Sequence, residues 1–221
     1  MVRQYENDRQ DTASNGGFVP MILSNTTELC TDRLAAMLAE QLAGWPHRAL
    51  EVRVRHSRGR DFSGLCDYRA RRIHINLRRH LDFPYEVKTY LARARSNARI
   101  WWRDIYRLRV ADKYQLALFV FLHELYHWLV RQARRNTRQK EAMCDRFAAR
   151  ALVDRFGAVV SDGRGRPVPR AEWDFQDLEG FVAAARRKPA AVRVIHRPAR
   201  AALPDDRSRP PHDGQFLLFP L

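Results

Sequence analysis

From Leu116 to Val130 the chain is almost unbroken in apolar side chains, and the exceptions are His123, Glu124 and His127. Asp112, followed three residues later by Gln115, forms a capping-box start for a helix here. Arg131, Arg134 and Arg135 close it, at the end where cations are favoured. A helix this apolar belongs in a core, so the rest of the fold must be built around it. The purely apolar run, Leu116 to Leu122, is far too short to span a membrane. Three polar groups in such a helix are costly to bury without partners. They are either core residues satisfied by hydrogen bonds, or they surround something that binds imidazoles.

The spacing favours the second reading. His123 and His127 stand four residues apart, so on a helix their rings point the same way, one turn apart. Glu124 between them completes His-Glu-x-x-His, two zinc ligands with a carboxylate beside the open coordination position. The apolar neighbours Val120, Phe121, Leu125 and Trp128 supply the rigid, water-restricted setting a metal site needs.

A third ligand is expected from the next helix, which Asn136 or Thr137 caps and Gly157 stops after Phe156. Glu141 lies near its start, and two antiparallel helices joined by a short basic turn can bring that carboxylate onto both imidazoles. Asp145 is one turn further on the same face, positioned to accept the second ring N–H of a ligand histidine. Cys144 could also touch the metal, although a small buried helix residue is the simpler reading.

The stretches HELYH and KEAMCDRFA resemble the gluzincin metallopeptidases, whose pattern is HExxH followed by Glu-x-x-x-Asp on the next helix. The segment Glu141 to Leu152, with Phe147-Ala148, is most similar to the ImmA/IrrE-like peptidases. That resemblance implies Glu141 as third zinc ligand and Asp145 as the carboxylate behind a ligand histidine. It implies a compact α+β, zincin-like domain in which a small, mostly antiparallel sheet packs on the HExxH helix and the ligand helix that follows. An edge strand would lie above the cleft, and Arg72 to Leu77 is the matching segment, with Ile73, His74, Ile75, Asn76 and Leu77 open to substrate. SprT-like proteases, which share HExxH and act on DNA-bound proteins, are the competing resemblance. They more typically use a histidine as third ligand, and no histidine lies between His127 and His196. Tyr126 also departs from the small residue common before the second histidine.

The expected chemistry is peptide hydrolysis by one Zn2+ per chain, with Glu124 as general base. Tyr126, Tyr90, Tyr106 and His74 are the candidates to stabilise the carbonyl oxygen. The alternative is a nucleic-acid-binding or interaction protein whose metal site is structural or vestigial.

Along the rest of the chain, residues 1–25 read as a flexible lead-in and 26–157 as the peptidase domain. Residues 158–221 read as an extension with one helix over 175–188 and a partly disordered tail. Apolar spacing predicts a helix from Thr27 to Leu42, and alternation predicts strands at Leu50–Arg55 and Arg71–Leu77, the second a sheet edge. Arg58 to Gly64 reads as a turn, and Tyr85 to Leu108 as one or two helices. No apolar leader opens the chain, and three cysteines without CxxC spacing give no disulfide framework, so a cytoplasmic protein without a membrane partner is expected.

The formal net charge is +15, and about +11 of it falls between residues 48 and 110. Arg95, Arg99, Arg103 and Arg107 recur every fourth residue, one face of the predicted helix, interleaved with Trp101 and Trp102. Such a ladder suits DNA or another nucleic acid, and an acidic protein substrate would explain the same charge. In the tail, Gln215, Leu218 and Phe219 match the short peptides that dock on bacterial sliding clamps, a second expected partner.

Overall fold

The computed structural model describes residues 19–45, 49–138, 140–183 and 192–196. Their order is β1 (Val19–Asn25), α1 (Thr31–Leu42), β2 (Leu50–His56), β3 (Phe62–Asp67), β4 (Arg72–Leu77) and β5 (Tyr85–Thr89). Then come β6 (Ala94–Ser96), β7 (Trp101–Arg103), β8 (Tyr106–Val110), α2 (Lys113–Gln132) and α3 (Glu141–Phe156). The last are β9 (Val159–Ser161), α4 (Arg170–Trp173), α5 (Leu178–Phe181) and β10 (Val192–His196). The class is mixed α+β, as the sequence implies. No helix among the described residues is long and apolar enough to cross a membrane.

The larger sheet runs in the order β10-β1-β2-β4-β3. It is parallel throughout except for β3, which pairs antiparallel with β4. This corrects the expected mostly antiparallel sheet. Alternation identifies a strand but not its direction; here α1 serves as the crossover between β1 and β2, and such a connection makes neighbours parallel. One face is apolar in register: Met21 opposite Leu50, Leu23 opposite Val52, and Val52 and Val54 opposite Ile73 and Ile75. Helices α1 and α2 cover it, α1 through Leu34, Ala35, Leu38 and Leu42.

Helix α2 is the centre of the molecule. Every residue from Leu116 to Val130 is buried. Its start is fixed as expected: the Asp112 carboxylate accepts from the Gln115 N–H at 2.8 Å, and the Gln115 side chain accepts from the Ala111 N–H at 2.8 Å. Helix α3 packs alongside and ends on Gly157 at φ 64°, a left-handed stop that glycine takes without strain. Helix α1 begins later than Thr27, because the Asn25 side chain takes the Thr27 N–H and hydroxyl into a turn.

Two further expectations change. The segment Tyr85–Leu108 contains no helix: β5 and β8 pair antiparallel, joined by β9 in a second sheet, and β6–β7 form a separate hairpin. A recurrence of four is a multiple of two, so arginines every fourth residue fit a strand's alternation as well as a helix's face. Val87, Thr89, Leu108 and Val110 make the buried side of that alternation.

The domain also outruns both predicted boundaries. Strand β1 joins the sheet within the segment expected to be a flexible lead-in. Beyond residue 157, Trp173, Leu178 and Val182 are buried in the core. The buried Arg146 guanidinium holds this segment by donating to Trp173 O (2.8 Å) and Gln176 Oε1 (2.6 Å), and it reaches Leu91 O (2.7 Å) and Ala92 O (3.3 Å) across the fold. In place of the helix predicted over 175–188 stands the four-residue α5; residues 184–188 lie outside the described residues.

Candidate metal centre

Helix geometry brings His123 and His127 to one face of α2, and the packing of α3 brings Glu141 to both. Glu141 Oε2 lies 3.2 Å from His123 Nε2, and Glu141 Oε1 lies 3.3 Å from His127 Nε2. The first is a hydrogen bond at the long end of the range, whereas the second leaves the buried His127 Nε2 without an aligned partner. As edges of a coordination shell they fit. Ligands about 2.0–2.1 Å from a tetrahedral ion stand roughly 3.3 Å from one another. The same distances are therefore open to a small metal ion as well as to hydrogen bonding.

Cys144, one turn along α3, offers a second combination. Ligand atoms of His123, His127 and Cys144 all lie within 4.8 Å of one another, so this buried group could also hold a metal ion. Burial, with the charges of Glu141 and Glu124, pushes the Cys144 thiol well up. Each oxygen of the Glu141 carboxylate meets a different imidazole.

Asp145 stands where the sequence predicts. Its Oδ1 is 2.9 Å from His123 Nδ1, and its Oδ2 accepts the Tyr90 N–H at 2.6 Å. With Nδ1 given to Asp145, Nε2 is the His123 ring nitrogen that faces Glu141 and the site. Tyr90 O in turn accepts from Arg103 Nη1 at 2.7 Å, so β7 is tied to the site through the backbone of one residue.

The electrostatics follow from these contacts. Burial works against a charged His123, but hydrogen bonds to Asp145 and Glu141 override it and raise the imidazole well above its usual value. Burial would lift Glu141 too, yet His123 and His127 hold that carboxyl well below the ordinary range. Glu124 is raised, by burial first and by the charge of Glu141, with both imidazoles opposing.

Glu124 lies directly under β3. A Cβ added at Gly64 would stand 2.3 Å from Glu124 Oε1, and the Cys66 backbone bonds the same carboxylate. Gly64 is thus part of the site, and sequence reading missed it by assigning Arg58–Gly64 to a turn. A glycine within a strand is the signal that was available. The sheet edge is corrected at the same time. Ile73, His74, Ile75, Asn76 and Leu77 form β4, which is paired on both sides, and β3 is the edge above Glu124.

Three of the expected carbonyl-oxygen partners point elsewhere. The Tyr126 hydroxyl donates to Leu178 O at 3.1 Å, which explains a large residue before the second histidine: it anchors α5. The Tyr106 hydroxyl meets Glu172 Oε2 at 3.5 Å. His74 projects from the outer face of the sheet among Arg53, Arg55 and Arg72. Tyr90 alone of the four adjoins the centre: burial and the charges of Asp145 and Glu141 raise its hydroxyl. It also borders a cavity of about 780 Å³, lined by Arg60, Phe62, Tyr85, Lys88 and Arg107, that adjoins the site without containing its ligands.

The basic ladder is not one surface. Arg95 pairs with Asp104 at 3.5 Å, Arg107 with Glu86 at 2.7 Å, Arg103 bonds Tyr90, and Arg99 lies in the β6–β7 turn. Gln215, Leu218 and Phe219 lie outside the described residues. Compared with family models, with curated proteins and with solved structures, the chain finds no match in any of the three.

Proposed function

We propose that the chain is a zinc-dependent endopeptidase with a zincin-like catalytic domain, acting on a protein substrate. The observation that carries this reading is the meeting of one carboxylate with two Nε2 atoms at coordination-edge distances, beside a buried Glu124. Two imidazoles and a carboxylate are a donor set zinc favours, and zinc bound there supplies a Lewis acid and an acidified water.

The chain's own residues do the rest. Asp145 holds His123 in the tautomer that leaves Nε2 free to coordinate. Glu124, its carboxyl raised, is suited to take a proton from the attacking water and return it to the leaving amine. Tyr90 is the candidate donor to the carbonyl oxygen. A peptide added along the outer edge of β3 would pass over Glu124, held by main-chain pairing that tolerates many sequences.

Glu124→Gln is the test. The variant is expected to keep one zinc per chain and lose cleavage of casein or of a captured substrate by about 100-fold or more. Cleavage at the wild-type rate would refute the assignment. One observation favours a second reading: the proximity of Cys144 to both imidazoles suits a closed structural site with no open position. Cobalt substitution separates the two, since thiolate ligation gives an intense near-ultraviolet band that the two-histidine, one-glutamate set lacks.

A further inference from the structure

The β6–β7 hairpin stands apart from both sheets, and its apolar residues face outward. Ile100 is 62% exposed, Trp101 70%, Trp102 39% and Ile105 41%. Four large side chains exposed within six residues are more than the isolated apolar residues a surface ordinarily carries, and they mark this hairpin as a binding element. Between residues 93 and 109 the chain carries six arginines against a single acidic residue, Asp104, whose solvent-exposed pair with Arg95 at 3.5 Å is of the weak kind a phosphate can displace. The metal centre uses none of the exposed indoles.

Register gives this surface its form. Arg95 pairs with Trp102 and Ser96 with Trp101, so cross-strand neighbours put one indole on each side of the ribbon. Arg95 shares the side of Trp102, and Arg103 that of Trp101. The turn is polar and well fixed: the Asn97 side chain accepts the N–H groups of Arg99 and Ile100 at 2.9 Å each. Arg99 sits at the tip. Indoles interleaved with guanidinium groups match a flexible polyanion with flat, stackable faces.

We propose that the β6–β7 hairpin is a docking surface for single-stranded nucleic acid, with bases stacking on Trp101 and Trp102 and phosphates meeting Arg95 and Arg99. This surface is independent of the proposed peptidase chemistry and stands whether or not that reading does. Duplex DNA hides the base faces and is a poorer ligand for such a platform.

Fluorescence anisotropy with a labelled twenty-nucleotide oligo-dT, titrated with the full chain over a range of salt concentrations, tests it. Trp101→Ala is expected to weaken binding about tenfold, and Trp101→Phe to restore most of it. The double variant Arg95→Ala/Arg99→Ala is expected to reduce the log–log salt slope by roughly 1.4, two contacts' worth for a single strand. Because these side chains are exposed, thermal midpoints should match the wild type and rule out unfolding. Wild-type protein that does not bind the oligonucleotide at low salt would overturn the proposal. So would Trp101→Ala binding as tightly as wild type, or equal affinity for a duplex of the same length. Trp101-dependent binding confined to phosphatidylserine vesicles would overturn it in favour of a membrane surface.

Discussion

At the scale of single residues, the candidate centre divides into groups that spacing alone can find and groups that it cannot. His123 and His127 are legible because a helix converts a separation of four into a shared direction, whatever surrounds it. Glu141 and Asp145 are legible for the same reason once a second helix is expected opposite the first. Gly64 is not, because its role comes from the approach of two segments distant in sequence. Its substitution makes a sharp test. Gly64→Ala would set a methyl group 2.3 Å from Glu124 Oε1, so the carboxylate or the strand must move. The expected cost is about 1–3 kcal/mol of stability, as for other overpacked sites. Cleavage should fall while zinc remains, because the atoms the methyl group meets first all belong to Glu124. Metal content by atomic absorption and stability by urea denaturation would check both halves, and loss of zinc would contradict the separation of ligand and base.

At the scale of elements, helices α1, α2 and α3 were legible from their apolar spacing, α2 also from its Asp112 cap and α3 from its Gly157 stop, and so were β2 and β4. The caps expected for α1 and α3 at Thr27 and at Asn136 or Thr137 were not used, because these helices begin at Thr31 and Glu141. The errors fell on strands whose identity depends on pairing. Strand β3 lacks a buried alternation of its own and becomes a strand only by hydrogen bonding to β4. Strands β5 and β8 alternate correctly, but an arginine period of four imitated a helix. The connection between these parts is Arg146, which no pattern singles out. One buried guanidinium bonds the segment after β5 and the segment after α4, lowered to about 10 by burial and by Arg103. Arg146→Met keeps most of the volume but leaves the carbonyls of Leu91, Ala92 and Trp173 without this donor. At about 1–3 kcal/mol for each buried group left unpaired, the expected loss is roughly 3 kcal/mol or more. Urea midpoints would measure it, and a change under about 1 kcal/mol would mean water replaces the guanidinium. Residues 170–183 should become the first site of proteolysis.

At the scale of the whole molecule, the strongly basic balance has a place where it should be felt in stability. The outer face of the five-stranded sheet sets His74 between Arg53 and Leu65, with Arg55 and Arg72 nearby. Burial, then Arg55, Arg72 and Arg53, push the imidazole down to about 4. The unfolded chain takes up a proton at this histidine near its ordinary value of about 6.5. The folded chain does not until about pH 4. Between those limits the unfolded state binds more protons, so stability falls as pH falls. Other groups act in different windows or, like the raised Glu124 carboxyl, with the opposite sign. The Glu51 carboxyl, lowered by Arg53 and Arg72 against burial, loses its contribution only below roughly pH 4.3. His123, raised by its carboxylates, has the opposite sign and loses its contribution only as pH rises through its folded value. The His74 effect is therefore isolated by a difference. His74→Gln removes the titration and keeps a polar side chain on the face. Thermal midpoints of both proteins, stripped of metal by a chelator, should diverge progressively from pH 6.5 to 4, the wild type falling more steeply. A constant difference across that range would mean that solvent reaches the imidazole and the arginines do not govern it.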